Sequence, residues 1–124
     1  SESKANLIES DTGEPILELR IDYSRAWVQI RQALETADIF IVDSSRDRSV
    51  FNVQFAGIVN EDDEPGFFGR WFGGDPDELN MKDFSVTLFQ SGGVVNVMTQ
   101  ALGEFDNARE LTEELLQVID DNLS

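Results

Sequence analysis

The sequence predicts an α+β fold, a two-layer sandwich in which an antiparallel sheet carries two helices on one face. Three observations predict it. Five short runs have the alternation or the β-branched and aromatic content of strands, and four of them cluster as adjacent hairpins. Two longer stretches each repeat apolar residues at helical spacing along a single stripe, so each helix has one face to bury. Strands gathered in hairpins favour antiparallel pairing over βαβ crossovers, which leaves the helices to cover one side of the sheet.

The elements follow in the order β-α-β-β-β-β-α. In residues 16–21, Leu17, Leu19 and Ile21 alternate with Glu18 and Arg20, placing three aliphatic side chains on one sheet face. Asp22 or Ser24 can then cap a helix to about Ala37, in which Trp27, Ile30, Leu34 and Ala37 mark the buried stripe. Residues 39–42 form a short strand, and the Ser-, Asp- and Arg-rich residues 43–49 form a turn. Phe51, Val53 and Phe55 alternate with Asn52 and Gln54 and complete an antiparallel hairpin.

Residues 60–82 break every period. They collect acidic residues, Pro65, Pro76 and several glycines around an aromatic cluster, and are expected to be the long loop of the domain. Alternation resumes at Phe84, Val86 and Leu88; Ser91, Gly92 and Gly93 supply a tight turn, and residues 94–99 return as the last strand. Asp106 can cap a final helix to about Asn122, with Ala108, Leu111, Leu115, Val118 and Ile119 on its apolar face and acids on the other. Residues 1–14 have few apolar positions and no period, so they are expected to be a flexible lead-in to a single domain over residues 15–124.

Composition narrows the function. A chain of 124 residues that is 40% hydrophobic can bury one independent core. Its net charge of −16 would repel phosphate backbones and anionic lipid headgroups, so neither nucleic acid nor a membrane surface is an expected partner. The chain has no cysteine and no histidine, which removes the thiol nucleophile, the disulfide, the commonest general base and the commonest metal ligand. No nucleophile and base of the usual kinds can be paired, and the expectation is a non-enzyme without cofactor. Residues 61–64, with Asp75, Asp77 and Glu78, cluster carboxylates but lack the calcium-loop spacing, so no metal is expected. No apolar stretch reaches the length of a membrane span, and no signal peptide is visible, so an exported protein would be represented here by a mature segment.

Two segments are candidate binding surfaces. Phe67, Phe68, Arg70, Trp71 and Phe72 pack four aromatics and an arginine between glycines, a composition enriched at protein hot spots. The same aromatics can equally fold back and plug the end of the sandwich. Asp43, Arg46, Asp47 and Arg48 can form a recognition turn, Arg46 reaching a partner carboxylate, or a local Asp–Arg arrangement that holds the hairpin.

The run from Ile16 to Trp27, continued by Ala33, Leu34 and Glu35 and then by residues 41–46 ending at Arg46, resembles the opening of a domain of the BamC (NlpB) lipoproteins. In that family a strand leads into a helix with a Trp near its start and Ala-Leu-Glu near its end. A strand ending in Asp-Ser or Asp-Arg and an Arg-containing turn come next. The family turn usually includes a Gly where this chain has Arg48 and Ser49, and the lipid-bearing Cys of the intact family protein is not in this sequence. The resemblance implies a helix-grip fold, with the long C-terminal helix against the sheet. It also implies a Gram-negative outer-membrane location, lipid-anchored and facing the periplasm or the exterior, in an accessory subunit of the β-barrel assembly (BAM) complex. Its implied partners are BamD or neighbouring subunits. Family contact with BamD runs largely through an extended N-terminal segment, so no residue here is assigned to it. A helix-grip domain could alternatively hold a small apolar ligand between the sheet and Leu111 or Leu115 of the last helix.

Overall fold

A computed structural model of the chain describes residues 4–57 and 81–123. The elements are β1 (Ala5–Glu9), β2 (Pro15–Leu19), α1 (Tyr23–Thr36), β3 (Phe40–Ser45), β4 (Val50–Phe55), β5 (Lys82–Ser91), β6 (Val94–Ala101) and α2 (Ala108–Asp121). All six strands join one open sheet in the order β1-β2-β6-β5-β4-β3, and every neighbouring pair is antiparallel. Both helices lie against the same face: α1 against β3, α2 against β6, β2 and β1, and each against the other. The predicted two-layer α+β sandwich is therefore the observed architecture.

The alternation read from the sequence selects the core face. Leu17 and Leu19 of β2, Phe51 and Val53 of β4, Phe84 and Val86 of β5, and Val95 and Val97 of β6 are all essentially inaccessible. They meet Ile30 and Leu34 of α1 and Leu115, Leu116 and Ile119 of α2, each fully buried, so one contiguous core fills the space between the layers. Trp27 lies flat on Phe51, ring centroids 4.0 Å apart, and this stack fixes the roll of α1 over the sheet.

One element was not expected. Residues 5–9, assigned to a flexible lead-in on sequence, form the edge strand β1, in register with β2 from Ala5 opposite Leu19 to Glu9 opposite Pro15. A compact turn closes this hairpin. The Ser10 hydroxyl accepts from the Glu14 and Thr12 amides, and Gly13 takes a φ of +84°. An edge strand is covered by few neighbours, and none of its residues is fully buried, so it needs no apolar stripe of its own.

The helix ends differ from each other. Asp22 caps α1, its carboxylate accepting from the Arg25 amide at 3.0 Å, as one of the two expected caps. At α2 the cap position falls on Asn107 rather than Asp106; its backbone is left-handed, with φ +66°, and its side chain makes no cap hydrogen bond. At the far edge of the sheet, the register of β3 on β4 shifts between Ile41 and Asp43, so Val42 is an inserted, exposed residue.

Candidate binding surface

Of the residues singled out on sequence, Phe67, Phe68, Arg70, Trp71 and Phe72 lie outside the described residues, as do the acidic residues 61–64, Asp75, Asp77 and Glu78. Arg46 is described, and the surface around it can be built up from the chain.

The turn after β3 is held against the start of α1 by side chains. Tyr23 is bonded through its hydroxyl to the Ser49 hydroxyl, and it also donates to the Arg46 carbonyl at 3.4 Å. Ser49 has φ +59°, a left-handed conformation that a residue with a Cβ adopts at some cost, and the Tyr23 bond helps to hold it there.

Arg46 does not form the Asp–Arg arrangement allowed on sequence. Its Nη2 donates to the Ser24 hydroxyl of α1 at 2.8 Å, whereas Asp43 accepts from Asn52 Nδ2 at 2.6 Å on the neighbouring strand. The reason is the sheet register. Asp43 lies opposite Asn52, and residues alternate faces along a strand, so Ser44 turns toward the helix while Asp43 turns away; Arg46 follows in the turn after β3, within reach of Ser24.

A second arginine joins the same seam. Arg31 Nη2 donates to the Ser44 hydroxyl at 2.9 Å, and its guanidinium lies 5.3 Å from the centroid of the Phe51 ring, within cation–π range. Two rungs of opposite polarity thus tie α1 to β3 and the turn after it: Arg31 with Ser44, and Ser24 with Arg46. Arg31 was missed on sequence, although a signal for it exists. Ser24 and Arg31 are seven residues apart, two helical turns and one flank, while Ser44 and Arg46 are two apart across the end of β3 and the turn after it.

Among the described residues, ion pairs join Arg20 to Glu18 and Arg109 to Glu113, and none involves Arg25, Arg31, Arg46 or Arg48. The seam therefore presents guanidinium groups that are oriented by hydroxyls and, among the described residues, unmatched by carboxylates.

The rest of the surface is different in kind. Leu115 is fully buried, and Leu111 packs on the core close to Gly57, where φ is +92° and an added Cβ would meet Leu111 Cδ2 at 3.0 Å. Open space lies instead at the rim. A groove of about 620 Å³ runs past the end of β2, bordered by Pro15, Phe89, Met98, Thr99, Arg109 and Thr112. Near the C-terminal end of α2, burial and then the neighbouring Asp121 carboxylate push the Asp120 carboxyl above its ordinary range. Among the described residues no group of three or more candidate ligands gathers around a metal position, and no helix is long and apolar enough to cross a membrane. No family model matches the chain, and no curated protein matches it.

Proposed function

We propose that this chain is a non-catalytic protein-interaction domain of an accessory lipoprotein of the outer-membrane β-barrel assembly complex, tethered by a lipid on a cysteine N-terminal to the residues described. The observation that carries the reading is the run of residues 16–46, whose resemblance to the BamC lipoproteins falls on β2, α1 and β3 in family order. Two further features support it. The turn position where the family usually has Gly includes a residue, Ser49, with the positive φ that favours Gly, and the long last helix lies on an antiparallel sheet, as a helix-grip domain requires. The absence of cysteine and histidine from the sequence supports a binding role over catalysis.

In this reading the segment Phe67, Phe68, Arg70, Trp71 and Phe72 supplies the main docking contacts, and Arg46 is a second candidate contact. The test is capture of the assembly complex from solubilised Gram-negative outer membranes by the immobilised domain, compared with the Arg70→Ala, Trp71→Ala double variant. Capture by the wild type, lost in the variant at an unchanged melting temperature, is the expected result. No enrichment of assembly subunits by the wild type removes the proposal. Unaltered capture by the variant removes the aromatic segment from it.

A further inference from the structure

We propose that the outer flank of α1, with β3 beside it, docks an acidic helix that presents two carboxylates two turns apart on either side of an apolar residue. The inference rests on the reading of this chain as an interaction domain, though not on which assembly it serves.

Charge gives the first argument. The chain as a whole carries −16, yet residues 22–35 and 43–49 hold four arginines against four carboxylates, Asp22, Glu35, Asp43 and Asp47. This corner is balanced where the rest of the chain is strongly acidic, so a negatively charged partner is repelled least here.

Geometry gives the second. Ser24, Val28 and Arg31 follow the i, i+4, i+7 spacing and share one flank of α1. Arg46 is held at the Ser24 end and Arg31 at the other, so the two cationic positions are about 10 Å apart along the helix, from a rise of 1.5 Å per residue. Val28 lies between them with 48% of its surface exposed, an apolar patch framed by two guanidinium groups. Each arginine uses one Nη on a serine and keeps further N–H donors, enough for a forked contact with a carboxylate. Because the serines and the Phe51 ring already orient these side chains, little rotamer freedom is left to lose on binding. A partner helix with acids at i and i+7 and Leu or Val at i+3 or i+4 matches this spacing. A second copy of this chain does not match it well: on α2 the spacing falls on Glu114, Val118 and Asp121, where Val118 is buried in the core, or on Glu113 and Asp120, where the polar Gln117 stands between.

The experiment uses two synthetic, alanine-based helical peptides. One carries two glutamates two turns apart around a leucine; the other is identical with glutamines in their place. Titration into the full chain at low salt, followed by isothermal calorimetry, is expected to give saturable binding of the Glu peptide. That binding should weaken as salt rises, and the Gln peptide should bind roughly tenfold or more weakly. Val28→Glu, a substitution at an exposed position, is expected to abolish binding without changing the melting temperature. The paired Arg31→Lys, Arg46→Lys variant, which keeps charge but loses the fork, is expected to weaken it. Equal affinity for the two peptides, no binding of either, or full binding by Val28→Glu would overturn the proposal. So would concentration-dependent self-association in sedimentation that Val28→Glu removes, because the flank would then belong to a second copy. Binding of the Glu peptide without capture of the assembly complex would leave this inference standing and remove only the functional assignment above.

Discussion

The two helices have fourteen residues each and a single buried stripe each, yet they are fastened to the sheet differently. α1 is tied by polar side chains along its length: Asp22 at its cap, and Tyr23 with the Ser24–Arg46 and Arg31–Ser44 rungs to β3 and the turn after it. α2 depends on burial of Leu115, Leu116 and Ile119; its first turn has no side-chain cap, and its main polar link to the sheet is Thr99 Oγ1 donating to the Thr112 carbonyl at 2.8 Å. Polar ties contribute little net energy but specify geometry, whereas apolar burial contributes most of the energy and tolerates sliding. The difference points to α1 as the helix whose outer surface is held in a set arrangement, and to α2 as the one that mainly closes the core.

The largest effects should come from the apolar contacts shared by both helices. Trp27→Ala, which removes the ring stacked on Phe51, and Leu115→Ala on α2 should each cost about 2–5 kcal/mol in chemical denaturation. Near equality of the two would agree with a single continuous core, and a negligible cost at Leu115 would break the comparison.

Polar ties should separate the helices at a smaller scale. Asp22→Ala should destabilise by about 1 kcal/mol, and Tyr23→Phe by a similar amount, since each removes a side-chain hydrogen bond that holds the start of α1. Asn107→Gly at the start of α2 should instead be neutral or slightly stabilising, because its φ of +66° suits glycine and no cap bond is lost. Equal losses at Asp22 and Asn107 would contradict the contrast.

The smallest effect is a pH dependence confined to α2. A carboxyl whose folded-state affinity for protons is raised opposes folding when it is ionised, and this penalty is absent at pH below the ordinary carboxylate range. It grows as pH rises through that range and past the raised value. Asp120→Asn should therefore melt slightly higher than wild type at neutral pH, and the gap should close as pH falls toward about 3. A gap that widens on acidification would reverse the assigned sign.

Most of this architecture was legible in the sequence because it is written in periodicity. Leu17 and Leu19, Phe51 and Val53, and Phe84 and Val86 announce their sheet face by alternation, and Trp27, Ile30 and Leu34 announce a helical stripe. β1 was not legible, since an edge strand with half-exposed residues leaves no such pattern. The N-cap of α2 was misplaced by one residue because an aspartate adjoins an asparagine there, and only backbone conformation tells them apart. The site was less readable still. Arg46 was a candidate, but its partner Ser24 lies twenty-two residues away, and that pairing is set by how the bulged β3 sits beside α1.

The central claim, that the outer flank of α1 is a docking surface while α2 mainly closes the core, is tested most directly by one comparison of binding. The wild-type chain, Val28→Glu on α1 and Gln117→Glu on the outer side of α2 would be titrated in parallel with the helical Glu peptide by isothermal calorimetry. Both substituted positions are exposed, so neither change should disturb the core, although Gln117→Glu gives up a surface hydrogen bond to Asp121. The account predicts that Val28→Glu loses binding and that Gln117→Glu retains it at the wild-type level. Retention by Val28→Glu, or loss by Gln117→Glu alone, would contradict it.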